Sequence, residues 1–167
     1  MAGEQTVQVD GRRLRLSNLD KVLYPRTGTT KGEVIDYFSR IAPLMLPHLD
    51  RRPVTRKRWP EGVDQPDFFA KDLERGAPSW LPRMPIDHST GAKDYPLVEE
   101  VAALVYLAQV ASLELHVPQW RFTDAGERGA PDRLVLDLDP GPGVGLAECA
   151  EVARWVRSIL SDLGMEL

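Results

Sequence analysis

Apolar and polar residues alternate at Val7 and Val9 and again at Leu14 and Leu16, on either side of Asp10-Gly11. A period of two across an Asp-Gly step predicts a β-hairpin. Ser17 to Pro25 is turn-rich with a few apolar anchors. The period then changes. Val34, Ile35, Phe38, Ile41, Ala42 and Met45 recur at helical spacing. Thr30 and Glu33 form a capping box ahead of them, so a helix should begin at about Lys31. Pro43 should kink or end it, and Pro47 should reinforce the stop. Val54-Thr55 and the alternation that follows predict a strand with Lys57 on the face opposite Arg56 and Arg58. Met84 and Ile86 before a polar stretch, then Tyr95, Leu97 and Val98, predict a second hairpin over 81–98. Residues 99–111 predict a helix buried on most sides. Leu113, Leu115 and Val117 alternate with Glu114 and His116 as a strand, and 122–132 reads as a polar loop.

The stretch Asp132-Arg-Leu-Val-Leu-Asp-Leu-Asp-Pro-Gly141 predicts a buried strand that ends in two carboxylates. Leu136 and Leu138 should face the core, and Asp137 and Asp139 the other side. A divalent cation is the simplest compensation for two like charges on one face, and carboxylate oxygen suits Mg²⁺ or Mn²⁺. The alternative is a pair of solvated aspartates at a sheet edge. A helix should follow with Leu146, Cys149, Val152, Val156, Ile159 and Leu163 on one face and Gly164 as its C-cap. The glycines at 141–145 are not a Walker loop, because no Gly-Lys-Ser/Thr follows. Met165 should open a further strand, which reads as a βαβ unit cut short.

Composition adds three constraints. The 167 residues suffice for one domain with a core. Net charge is −4, which excludes a uniformly basic nucleic-acid binder, but residues 1–75 hold 14 Lys+Arg against 11 Asp+Glu and residues 76–167 hold 7 against 14. An anion-binding half and a cation-binding half fit that division. Cys149 is the single cysteine, so no intrachain disulfide forms, and it should be a core residue. The chain has no signal peptide pattern or membrane-length apolar run, so a cytoplasmic location is expected.

Local chemistry then selects candidates. Lys21 and Lys31 flank a helix N-terminus, where free N–H groups, the dipole and two ammonium groups favour a phosphate, with Asn18 as a further donor. Ordinary solvated lysines are the competing reading. The basic strand beside Trp59, Phe68 and Phe69 joins charge for a phosphate backbone to rings for base stacking. One of the two phenylalanines is expected to be buried and one partly exposed. His116 shares the polar face of its strand with a carboxylate, which suits a ligand contact as well as a structural role.

Six stretches in order resemble one family. They are Asn18-Leu-Asp-Lys-Val-Leu-Tyr-Pro25, Thr27-Gly-Thr-Thr-Lys31, Thr55-Arg-Lys-Arg-Trp-Pro60, Gly62-Val-Asp-Gln-Pro-Asp-Phe-Phe69, Leu115-His-Val-Pro-Gln-Trp-Arg-Phe122 and Leu136-Asp-Leu-Asp-Pro140. From about residue 6 onward the chain is similar to the polymerase domain of bacterial DNA ligase D, within the archaeo-eukaryotic primase superfamily. The resemblance implies a nucleotidyltransferase of non-homologous end joining that adds nucleotides, preferably ribonucleotides, from nucleoside triphosphates with Mn²⁺ (or Mg²⁺). It implies that Asp137 and Asp139 are two of three catalytic, metal-binding aspartates. It assigns the 5′-phosphate of a DNA end to Asn18, Lys21 and Lys31, template stacking to Phe68 and Phe69, and the triphosphate to Lys57 and His116. The tip near 89–94 would contact DNA ends, and the implied partners are DNA ends, Ku, and the ligase and phosphoesterase domains of the pathway.

The fold expected from this resemblance is α/β (α+β), a primase-polymerase-like fold with a mixed or antiparallel sheet flanked by helices. Family domains continue well past this length, so the chain reads as the amino-terminal part of one. Its subregions would be a 5′-phosphate and DNA-binding part (1–75), a hairpin (81–98) and a metal-binding strand and helix (132–164). An alternative is a DNA-end-binding module without catalysis. A D-x-D phosphatase is disfavoured, since Gly141 stands where its motif requires threonine.

Overall fold

The computed structural model describes residues 3–165. The chain divides into two compact units, Met1–Arg133 and Leu134–Leu167. The first unit begins with strands β1 (Gln5–Val9) and β2 (Arg12–Leu16), antiparallel with Val7 opposite Leu14. Asp10 and Gly11 between them have φ of 45° and 77°. Two successive left-handed residues are what a type I′ hairpin turn demands. The turn-rich segment that follows contains a short strand, β3 (Val22–Tyr24), paired with β4 (Thr29–Thr30).

Helix α1 (Lys31–Leu49) starts where the capping box placed it, with Thr30 Oγ1 accepting from Glu33 N and Glu33 accepting from Thr30 N at 2.7 Å. The expected stop at Pro43 and Pro47 does not occur, and both prolines lie inside the helix. Each removes one N–H donor, yet both are exposed, so water can satisfy the freed carbonyls. The opposite face buries Val34, Ile35, Phe38, Ala42 and Leu49 against helix α2 (Val101–Gln109), and that packing outweighs the two lost bonds.

Strands β6 (Phe68–Ala70), β5 (Thr55–Arg58) and β9 (Ser112–His116) form one antiparallel sheet in that order. The hairpin expected over 81–98 is present as β7 (Arg83–His88) and β8 (Gly91–Pro96). Part of the stretch read as a polar loop is a hairpin instead, β10 (Trp120–Phe122) with β11 (Arg128–Pro131). Its signal was weak because β11 is Arg-Gly-Ala-Pro, with no alternation to read. Ion pairs hold it: Asp132 accepts from Arg52 Nη2 at 2.8 Å and Arg121 Nε at 2.6 Å. These two guanidinium groups hold the Asp132 carboxyl down to about 2. The architecture is mixed α/β, with small antiparallel sheets and three helices among the described residues.

The second unit departs most from expectation. Residues 134–139 are in no strand, and Leu134, Val135, Leu136 and Leu138 are exposed rather than buried. A strand with that composition is stable only between neighbours, and the residues described here supply none beside it. Helix α3 (Leu146–Asp162) forms as expected and ends in a Schellman motif at Gly164, φ 76°, with Met165 N bonded to Leu160 O at 3.0 Å. Its apolar face is not covered: no residue of α3 is buried, and Cys149 is only partly so. The strand expected to open at Met165 falls largely outside the described residues.

Candidate nucleic-acid interface

The register of the three-stranded sheet decides which side chains meet. Lys57 lies opposite Phe69 on one side and Glu114 on the other, and His116 is opposite Thr55. Residues opposite one another share a face, so Lys57, Phe69, Glu114 and His116 form one surface. The Lys57 ammonium lies 4.7 Å from the Trp59 ring centre and 5.6 Å from that of Phe69. It pairs with Asp67 at 3.1 Å. His116 Nε2 is 2.7 Å from Glu114 Oε2, and its ring meets Phe69 edge-on at 5.5 Å. A cation, two rings and a hydrogen-bonded histidine thus converge on one face of the three-stranded sheet.

Phe68 takes the other face, stacked under the Arg58 guanidinium at 5.3 Å. Both rings are exposed, Phe68 by 47 % and Phe69 by 60 %, which corrects the expectation that one would be buried. The reason is that β6 is short and at an edge, so neither of its faces is roofed. The rings flank the sheet edge as a wedge and do not form a single stack.

Arg56 is not a phosphate ligand in this arrangement. It is completely buried, with its guanidinium on Glu74 and the Asp72 carbonyl. Arg58 Nη1 reaches the same carboxylate at 2.7 Å, and Tyr106 donates to it at 2.9 Å. Burial pushes the Glu74 carboxyl up, but Arg56, Arg58 and the Tyr106 hydroxyl outweigh it and hold the group below its ordinary value. Burial and the Glu74 charge raise the Tyr106 phenol. Of the basic strand, Lys57 and Arg58 both stay partly exposed, on opposite faces of the sheet.

The second cluster lies at the start of α1. Asn18 has φ 54° and opens a turn in which Lys21 N donates to Asn18 O at 3.0 Å. That turn is laid against the helix end: Lys31 N donates to Lys21 O at 2.8 Å and Gly32 N to Leu19 O at 2.9 Å. The structure therefore brings Asn18, Lys21 and Lys31 together but does not leave helix N–H groups for an anion, since the first three are bonded to Lys21, Leu19 and Thr30. Lys31 is buried and donates from Nζ to Ser17 O at 2.8 Å. Burial, then the neighbouring Lys21 charge, lowers its pKa. Lys21 Nζ is paired with Glu61 at 2.7 Å.

Asp137 and Asp139 line one cavity of the second unit, about 330 Å³, together with Glu148 and Cys149. Carboxylate oxygen is the right donor for Mn²⁺ or Mg²⁺. Among the described residues, however, no three His, Cys, Asp or Glu side chains come together as a metal-binding set. The pair fits such an ion in chemistry and falls short in number. No helix of the described residues is long and apolar enough to cross a membrane.

Sequence reading missed the carboxylates that neutralise these cations: Glu61, Asp67, Glu74 and Glu114. Glu61, Asp67 and Glu74 lie on loops that the fold brings back to their lysine or arginine, and Glu114 lies on the strand beside Lys57. Glu114 alone had a signal, its place beside His116 on one strand face.

Residues 30–167 match the family described as LigD, primase-polymerase domain. The chain is 54 % identical over 154 residues to the multifunctional non-homologous end joining protein LigD of Mycolicibacterium smegmatis, covering 92 % of this chain and 20 % of that protein. It is 28 % identical over 153 residues to the bifunctional non-homologous end joining protein LigD of Bacillus subtilis, covering 92 % and 24 %. A solved structure, the polymerase domain from Mycobacterium tuberculosis ligase D in complex with DNA, superposes with a TM-score of 0.86 at 52 % identity, over 91 % of this chain and 55 % of that one. The chain thus spans about a fifth of the length of the curated relatives it matches.

Proposed function

Because the chain belongs to the LigD primase-polymerase family, we propose that it is the DNA-end-binding part of a nucleotidyltransferase of non-homologous end joining. The observation that carries this reading is the convergence of Lys21 and Lys31 on the turn that Asn18 opens. Two ammonium groups at one place favour a doubly charged anion, and a 5′-terminal phosphate is such an anion. Phe68 and Phe69 supply apolar faces for unpaired template bases at the edge of the sheet. Lys57 and His116, next to Phe69, would meet the triphosphate of an incoming nucleotide, with Lys57 exchanging Asp67 for phosphate oxygen.

Asp137 and Asp139 would hold Mn²⁺ (or Mg²⁺) together with donors from outside the described residues. When bound, such ions activate the attacking hydroxyl and stabilise the leaving pyrophosphate. For the chain by itself, Asp137, Asp139 and Glu148 line one cavity but do not come together as a metal-binding set among the described residues, which favours end binding without nucleotide transfer. Ku and the ligase and phosphoesterase domains remain the partners implied by the pathway.

Fluorescence anisotropy of a gapped duplex, with and without the downstream 5′-phosphate, tests the reading. The phosphorylated end is expected to bind more tightly, and Lys21→Ala to remove the preference while leaving weak, salt-sensitive binding to both ends. Equal affinity of the unmodified chain for the two ends would overturn the phosphate assignment.

A further inference from the structure

Lys21 is already engaged by an anion. Its Nζ lies 2.7 Å from Glu61 Oε2, and the partner is held there by backbone as well as by its own side chain. The loop that carries Glu61 is tied to β3, the strand that begins right after Lys21. Val63 N donates to Leu23 O at 2.8 Å, and Gly62 N donates to Trp59 O at 3.1 Å. Gly62 has φ 99°, and a Cβ there would stand 3.2 Å from Leu23 O. Only glycine allows that approach, so the loop lies directly on the strand and keeps the carboxylate beside the lysine.

Among the described residues, the other donors at the helix start have acceptors of their own. The first three helix N–H groups are bonded within the chain, and Lys31 Nζ is bonded to Ser17 O. Glu61 is thus the counterion that Lys21 has in the free protein.

We propose that Glu61 is a placeholder anion, which occupies on Lys21 the position of a 5′-terminal phosphate and is displaced when that phosphate binds. This rests on the reading that Lys21 and Lys31 bind the phosphate. The exchange has a direction set by charge. A terminal phosphate carries about −1.5 to −2 at neutral pH and outcompetes a single carboxylate. An internal phosphodiester carries one charge and trades like for like, so Glu61 biases the pocket toward strand ends and against continuous backbone. It also keeps Lys21 oriented while no DNA is present.

The test uses the full chain, its Glu61→Gln and Lys21→Met variants, and the double variant, with gapped duplexes ending in 5′-phosphate or 5′-hydroxyl. Glu61→Gln is expected to tighten binding of the phosphorylated end roughly threefold, the size of an exposed ion pair. The hydroxyl end should gain less, and the gain should vanish when Lys21 is methionine. An equal gain for both ends, a gain that persists without Lys21, or weaker binding would overturn the proposal. If the unmodified chain does not distinguish the two ends, the phosphate reading fails and this inference with it. If it does distinguish them and Glu61→Gln changes nothing, this inference alone fails.

Discussion

Glu74→Ala is expected to destabilise the first unit by about 3–5 kcal/mol, the range for removing one partner of a buried pair. Arg56 is completely buried, and Glu74 is its carboxylate partner, shared with Arg58 and Tyr106. Alanine would leave the Arg56 guanidinium in the interior with only the Asp72 carbonyl as acceptor. Urea unfolding followed by circular dichroism measures the effect as a lower midpoint at unchanged slope. A shift worth less than about 1 kcal/mol would mean that water or a rearranged Arg56 replaces the carboxylate. A paired replacement separates charge from packing: Arg56→Met with Glu74→Leu should recover most of the loss, since apolar substitutes of similar volume often match a buried ion pair. The same cluster sets a pH dependence. The folded Glu74 carboxyl lies below its ordinary value. Its contribution to stability is therefore complete above the unfolded value, roughly 4.3, and is lost as the pH falls through the folded one.

Phe69→Ala is expected to weaken binding of gapped DNA about tenfold, since stacking of one base on an aromatic side chain contributes about 1–3 kcal/mol. The ring is 60 % exposed and lies against Lys57 and His116 at the surface, so the fold should survive its removal with little change in thermal midpoint. The loss should appear with a duplex that presents an unpaired template base and be small with a fully paired one. Similar losses on both would show that Phe69 supports the surface around Lys57 and does not stack.

The hairpins around Asp10-Gly11 and over 81–98, the capping box and the two helices of the first unit were legible because each obeys a local rule. Asp10-Gly11 sets its own turn, and Thr30 and Glu33 lie within one helical turn of each other. Pro43 and Pro47 misled because the strength of the buried face of α1 cannot be read from the prolines themselves. The stretch 134–138 misled for the opposite reason: its leucines show what a strand needs on both sides, and those neighbours are not among the described residues. At the candidate site, residue types and spacing singled out Lys21, Lys31, Lys57, Phe69 and His116, and the fold brings the first two together and the last three together. Which cations are already neutralised was hidden, because Glu61 and Glu74 are paired across 40 and 18 positions of sequence.

The place of β5 in its sheet has a consequence for synthesis. It is the middle strand, yet one partner, β9, begins at Ser112, and Tyr106, which completes the acceptor set of the buried carboxylate, also comes late. A ribosome adding about 5–20 residues per second needs several seconds to pass from β5 to β9. During that interval the β5 edge that will pair with β9 is open and Arg56 lacks its finished surroundings. The nascent chain therefore passes through a window in which its most basic strand is half-paired, and a chaperone or a slow codon tract would have most to offer between residues 58 and 112.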